Sequence, residues 1–285
     1  MTEQQIEANG LKLCFETFGD PADPPLLLVM GLAAPMIWWD DELCVQFAEA
    51  GFRVIRFDNR DVGRSSWMSG RASVTRALLL HSAPYSLGDL ADDASALLDA
   101  LDIEQAHVVG ASMGGMVAQE LAIRRPDRVR SLTSIMSTTG ARFVGTPSFR
   151  AAAAMLAPAA RTREEYVTRA LNTFRMLGSP GYPFDEERMR ARAERTYDRG
   201  VNPSGAARQL SAILSASDRT AGLRRLSLPA LVVHGTKDPL VRVSGGRATA
   251  RALGADLDLI SGMGHDLPPQ VWPRVVAGVQ RIAGR

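Results

Sequence analysis

A chain of 285 residues, 46% hydrophobic and 22% charged, has the make-up of an ordinary globular protein and can bury a large core without disulfide staples. Thirty-three basic against 31 acidic residues leave a net charge of +2, which excludes the basic footprint of a nucleic-acid binder. Two cysteines, Cys14 and Cys44, can neither form a disulfide framework nor by themselves supply four zinc ligands.

In chain order, Ile6 to Thr17 is expected as an antiparallel edge hairpin. Leu26 to Val29, bounded by Pro24-Pro25 and Gly31, predicts a buried strand. Asp41 to Ala50 follows as a helix, with Leu43 and Phe47 on one face and Gly51 as its stop. Arg53 to Phe57 is the next strand. Leu90, Ala94, Leu97, Leu98 and Leu101 recur at helical spacing and mark an amphipathic helix. His107 to Val109 is a strand, and Gly114 to Arg125 a helix closed by Pro126. Val129 to Met136, Ala230 to Val233 and Leu257 to Ile260 are further strands, and Val271, Val275, Val279 and Ile282 line a C-terminal helix. Strands alternating with helices at this spacing imply an α/β fold, a mainly parallel sheet covered on both faces. No apolar run reaches the 18 residues of a membrane span, and the opening MTEQQIEANG has neither the basic start nor the apolar stretch of a secretory signal. A cytoplasmic protein is expected.

The alternation breaks between residues 140 and 225. That stretch reads as several helices with turn signals at Pro158, Gly178-Ser179-Pro180 and Asn202-Pro203. It carries fifteen arginines, no lysine and eight acids, a net +7, which leaves −5 for the rest. A helical lid inserted between two strands is expected there, with residues 1–139 and 226–285 forming the core. Most of its arginines are expected on outward faces, where salt screens them. A steering effect on anionic substrates is the competing expectation.

The segment Val108-Val109-Gly110-Ala111-Ser112-Met113-Gly114-Gly115 places Gly-x-Ser-x-Gly between an apolar strand and a helix. A serine on so sharp a turn projects its hydroxyl above the carboxyl edge of the sheet, and the helix N-terminus brings backbone N–H groups beside it. Ser112 is therefore the expected nucleophile. It needs a base, and the base needs an orienting carboxylate. His265 lies in Gly262-Met263-Gly264-His265 just after the last strand, where it can reach back over the sheet edge. His107 starts the strand that leads to Ser112, His234 ends a strand ahead of the proposed acid, and His81 is away from any strand end. Asp238 follows the strand Leu231-Val232-Val233, whereas the alternative acid position, Ser137 to Gly140, holds no carboxylate.

The order Ser112, Asp238, His265 resembles the α/β-hydrolase superfamily over nearly the whole chain. Phe57 to Ser65 resembles its loop after the fourth strand, usually structural. Gly19 to Gly31, Gly178 to Phe184 and Gly262 to His265 resemble the aclacinomycin methylesterase-like carboxylesterases. The resemblance implies an oxyanion hole made by the backbone N–H groups of Met113 and Leu32; where many members read His-Gly, this chain has Met30. Trp38 and Trp39 either wall an apolar pocket or belong to the core, and Phe174, Tyr182 and Phe184 are further pocket candidates that amphipathic helices equally place in the core. The expected activity is hydrolysis of a small-molecule carboxylic ester through an acyl-enzyme, with no metal or organic cofactor and neither nucleic acid nor membrane as partner. Cofactor-free haloperoxidase (perhydrolase) chemistry, carbon–carbon bond hydrolysis, and a small-molecule receptor with a slow residual triad are the alternatives. A serine at the elbow argues against haloalkane dehalogenases and epoxide hydrolases, which the resemblance requires to carry aspartate.

Overall fold

The computed structural model describes residues 2–155 and 159–284, and the turn expected at Pro158 lies outside the described residues. The first half holds β1 (Gln4–Ala8), β2 (Leu11–Phe18), β3 (Pro25–Val29), α1 (Asp41–Glu49), β4 (Arg53–Phe57), α2 (Val74–Leu80), α3 (Leu87–Ala100), β5 (Ala106–Ala111), α4 (Met113–Arg124) and β6 (Val129–Ile135). Then come α5 (Phe149–Met155), α6 (Arg163–Leu177), α7 (Glu186–Arg199), α8 (Pro203–Ser215), α9 (Thr220–Leu223), β7 (Ala230–Gly235), α10 (Ser244–Leu253), β8 (Asp256–Ile260) and α11 (Trp272–Ala283). The eight strands form one sheet in the order β1-β2-β4-β3-β5-β6-β7-β8. The hairpin β1-β2 sits at the edge and joins β4 antiparallel, and all pairs from β4-β3 to β7-β8 are parallel. The sequence expectation misses α2 and α10. α2 has seven residues with Leu78, Leu79 and Leu80 exposed, so no apolar stripe repeats along it. α10 starts without a capping side chain on Ser244-Gly245-Gly246, poor helix formers.

Burial on both faces of β3 follows its period of two. Leu27 and Val29 join Leu90 and Leu97 of α3 and Val117 and Leu121 of α4. Leu26 and Leu28 face the other layer, with Leu43 and Phe47 of α1 and Val275 and Val279 of α11. Cys14 on β2 and Cys44 in α1 are both free and buried, and burial pushes each thiol up to about 12. Among the described residues no helix is long and apolar enough to cross a membrane.

Helices α5 to α9 lie between β6 and β7. Thr162, Asp185 and Asn202 cap α6, α7 and α8 by accepting a backbone N–H three residues on. Val167 and Leu171 of α6 pack with Met189 and Ala193 of α7 into a small core of their own. The expected outward arginines are found at Arg163 and Arg175, which pair with Asp198 and Glu186 at the surface. Arg142, Arg150, Arg161, Arg190, Arg195, Arg224 and Arg225 are exposed as well, as expected of most, while five others turn onto the sheet body. Arg188 and Arg192 bind Asp40 at 3.0 and 2.5 Å. Arg199 meets Asp58 at 2.5 Å and also Glu3, and Arg208 grips both oxygens of Asp61 at 2.7 and 2.8 Å. Arg219 donates to the Gln119 side chain at 3.0 Å and to the Thr138 carbonyl at 3.0 Å. Part of the charge asymmetry read from the sequence is thus spent at a seam, where acids of the core face Arg188, Arg192, Arg199 and Arg208 of the insertion.

Candidate active site

The tight turn after β5 is forced by close packing. Gly114 leaves no room for a side chain, since a Cβ there would fall 2.0 Å from the Val29 carbonyl oxygen, and one on Gly110 would fall 2.2 Å from that of Gly114. Ser112 itself takes a left-handed φ of +56°, a strained value for a non-glycine residue. Its N–H donates to the Ile135 carbonyl at 2.9 Å, and its carbonyl accepts from the Ser137 hydroxyl at 2.8 Å.

Asp238 stands three residues past β7. Its Oδ1 accepts the Leu240 and Val241 N–H groups at 2.8 and 2.9 Å, and its Oδ2 lies 2.7 Å from Nδ1 of His265. His234, fully buried in β7 and kept neutral by that burial, donates from Nε2 to the Val241 carbonyl at 2.7 Å and steadies the same turn. His265 Nε2 is 2.9 Å from Ser112 Oγ. With Nδ1–H donating to Asp238, Nε2 is left to accept the serine proton. His107 is elsewhere, buried against the Ser131 hydroxyl at 2.8 Å, and His81 is exposed at the end of α2.

The loop after β3 passes beside Ser112, with Gly31 so close that a Cβ would touch the serine Cβ at 3.2 Å. Ala33 holds a left-handed φ of +55°. Its N–H donates to Oε1 of Gln209 at 2.8 Å, and Nε2 of that fully buried α8 side chain donates to the Arg60 carbonyl at 2.9 Å. Asn59 holds the Met30 carbonyl from the other side at 3.0 Å. Among the described residues the N–H groups of Leu32 and Met113 have no hydrogen-bond acceptor. Met113 is the first residue of α4, where N–H groups are free by construction.

Ser112, His265 and Leu32 open onto a cavity of about 320 Å³ walled mainly by apolar side chains. Trp38 and Phe174 line it and lie against each other, ring centroids 4.7 Å apart. The other aromatic candidates are corrected. Trp39 is fully buried with Phe47 and Leu43 because the short turn over Met36–Trp38 sends neighbouring side chains to opposite sides. Tyr182 packs against the core layer of α11, and Phe184 is 38% exposed beneath Arg175. Neither lines the cavity.

The insertion also reaches the histidine. The Leu177 carbonyl accepts the His265 N–H at 2.7 Å, Ser179 Oγ accepts the Gly264 N–H at 2.9 Å, and the Gly181 N–H donates to the Gly262 carbonyl at 3.0 Å. The stretches Gly178 to Phe184 and Gly262 to His265, separate in the sequence, are therefore one contact. Sequence reasoning missed Gln209, Asn59 and His234. The signal available for Gln209 was weak, an uncharged polar residue among the buried positions of α8.

A family model for the alpha/beta hydrolase fold matches residues 24–268. Rhodomycin D methylesterases DauP of Streptomyces sp. (strain C5) and DnrP of Streptomyces peucetius are each 32% identical over 305 aligned positions, covering 98% of this chain and 97% of theirs. The 3-oxoadipate enol-lactonase 2 of Acinetobacter baylyi is 28% identical over 243 positions, 85% of this chain and 82% of its own. Among solved structures, the esterase RhEst1 from Rhodococcus sp. matches with a TM-score of 0.75 at 22% identity, covering 100% of this chain and 99% of its own. A meta-cleavage product hydrolase from Pseudomonas fluorescens matches with a TM-score of 0.77 at 20% identity, over 99% and 97%. These last two likenesses concern the fold alone. Parallel sheet, helical layers and matched span agree: the chain belongs to the α/β-hydrolase fold family.

Proposed function

We propose that this protein is a serine carboxylic-ester hydrolase that works through an acyl-enzyme, with Ser112 as nucleophile, His265 as base and Asp238 as its orienting acid. The observation that carries the proposal is the hydrogen-bonded chain from Ser112 Oγ through His265 to Asp238, at 2.9 and 2.7 Å, opening onto a mainly apolar cavity. His265 takes the hydroxyl proton as Ser112 attacks the ester carbonyl, and Asp238 stabilises the imidazolium. The Leu32 and Met113 N–H groups stabilise the tetrahedral oxyanion. The alcohol leaves with the proton from His265, and water activated by the same imidazole releases the acid. Helices α5 to α9 act as a lid that roofs the cavity from residues 140–225, and Trp38 and Phe174 form its apolar wall.

The methylesterase names of the two Streptomyces relatives support a methyl ester as the first natural candidate. The test is a series of p-nitrophenyl esters of graded acyl length together with a polyketide methyl ester, followed by labelling with a fluorophosphonate. Turnover with the label on Ser112 is the expected result. Label on another residue, or turnover unchanged after labelling, overturns the assignment. Product analysis separates ester hydrolysis from perhydrolysis and from carbon–carbon cleavage, and tight binding with turnover slower than about one per minute indicates a receptor.

A further inference from the structure

One face of α6 looks into the cavity: Tyr166, Arg169, Ala170, Thr173, Phe174 and Leu177, spaced i, i+3, i+4, i+7, i+8 and i+11. The neighbouring stripe, Val167 and Leu171, is buried against α7. Arg169 stands at the edge of the cavity-facing stripe, where it meets the outer groove of α6, and is the one charged member of an otherwise uncharged face. Arg192, the other cation on the cavity wall, is neutralised by Asp40 at 2.5 Å. Arg169, half-buried, has no ion pair or hydrogen bond among the described residues.

The nearby carboxylates are otherwise engaged. Asp40 holds Arg188 and Arg192, and Asp266 takes the Ser179 hydroxyl. A second cavity of about 490 Å³ adjoins the first and shares Leu32, Tyr166 and Arg169 as its wall. Its acid, Asp61, is held by Arg208 and the Tyr85 hydroxyl. Arg169 also borders the groove on the outer side of α6 together with Glu164 and Glu165, and neither acid comes within ion-pair distance of it. The Tyr166 hydroxyl, one turn before Arg169, also has no partner among the described residues. Two donors, one of them charged, thus stand unanswered where the two cavities meet, a few side chains from the expected oxyanion loop.

We propose that Arg169 and Tyr166 form a carboxylate subsite, which makes the preferred substrate an ester carrying a second, ionised carboxyl group. The inference rests on the ester-hydrolase reading of Ser112 and deepens it. One guanidinium balances one negative charge, and its planar fork fits a carboxylate with two parallel hydrogen bonds while the phenol supplies a third. A doubly charged phosphate would lack a second cation, since Arg192 is already paired.

The test compares monomethyl suberate, which bears one free carboxylate, with neutral dimethyl suberate, using the full chain. The wild type is expected to favour the monoester in kcat/KM by about tenfold or more, the size of a charge-assisted contact. Arg169→Gln removes that ratio, mainly through the KM of the monoester. Arg169→Lys restores part of it, and Tyr166→Phe lowers it to a smaller degree. Arg175→Gln, an exposed change on the same helix, leaves the ratio as it was. A wild type that favours the diester or turns over neither suberate, or an Arg169→Gln variant with the wild-type ratio, overturns the subsite. Fluorophosphonate labelling of Ser112 and turnover of p-nitrophenyl butyrate, run on the same samples, tell that failure from failure of the hydrolase reading, in which both controls are also lost.

Discussion

Ser112 and His265 meet at 2.9 Å, but they are held in different ways. The serine is held by the sheet: its elbow is pinned by glycine packing against Val29 and by hydrogen bonds to β6 and the residues after it. The histidine loop is held from both sides, by the insertion through Leu177, Ser179 and Gly181 and by the core through the Lys237 N–H to the Met263 carbonyl at 2.9 Å and the Gly262 N–H to the Thr236 hydroxyl at 3.0 Å. The loop bearing Leu32 is shared, with Asn59 of the core on one side and Gln209 of α8 on the other. The core therefore holds Ser112 and Asp238 by itself, while the loops bearing His265 and Leu32 are shared with helices that are themselves latched to the core by ion pairs. The inserted helices in this arrangement do more than line the cavity, because they also help to hold the His265 and Leu32 loops in place.

Breaking the core side has the largest expected effect. Ser112→Ala should lower kcat by about 10⁴-fold or more in ester hydrolysis while the thermal midpoint stays within a degree or two. Residual activity of a few per cent would show that the nucleophile is elsewhere.

Breaking the insertion side is expected to cost less and to read differently. Gln209→Leu leaves the Ala33 N–H without its acceptor and frees the loop next to Leu32, so kcat/KM should fall about 10- to 100-fold, short of losing a whole oxyanion donor. A trifluoromethyl ketone that mimics the tetrahedral state should weaken in step, while the product acid binds as before. Equal weakening of both would mean a general loss of pocket shape.

The seam can be sharpened by comparing two arginines. Arg208→Ala leaves the fully buried Asp61 carboxylate without its charge partner, a change that costs about 3–5 kcal/mol and is visible as a lower midpoint in thermal melts. Arg163→Ala, whose partner Asp198 is at the surface, should leave the midpoint where it was. Comparable loss in both would contradict the contrast between seam and outer face.

The core has its own acid-sensitive point. Burial lowers the His107 imidazole to about 4 from 6.5, so the unfolded chain takes up that proton first as pH falls. Stability from this group is complete above about pH 6.5 and is lost on the way down to pH 4, by up to about 3 kcal/mol. His234, lowered in the same direction by burial, adds to the slope. Melts of the wild type and His107→Gln between pH 7 and 4.5 check this, and a variant with the wild-type slope would refute it.

The parts legible in the sequence are those whose cause is local. Ser112 was marked by its glycines between a strand and a helix, and Asp238 and His265 by falling just past strand ends. Gln209 was not legible because its partner, Ala33, is 176 positions away and interacts only through a backbone N–H. The sign of the insertion's charge was plain, but its direction was not. An arginine count cannot tell Arg163, which faces water, from Arg208, which grips Asp61, because the difference depends on which side of each helix meets the body. Trp38 and Trp39 make the same point at the smallest scale, as one residue of rotation in a short turn sends one indole to the cavity and the other to the core.

The two buried thiols, Cys14 at 1% and Cys44 at 0% exposure, offer a use beyond packing. With their ionisation pushed so high, neither reacts from the folded state, so the rate of thiol modification becomes a clock for the opening of the chain around each. Cys14 sits on β2, within the edge hairpin, and Cys44 in a helix pressed against the sheet. Two different rates would mean that the edge of the sheet breathes on its own; a single shared rate would mean that the molecule opens only as a whole.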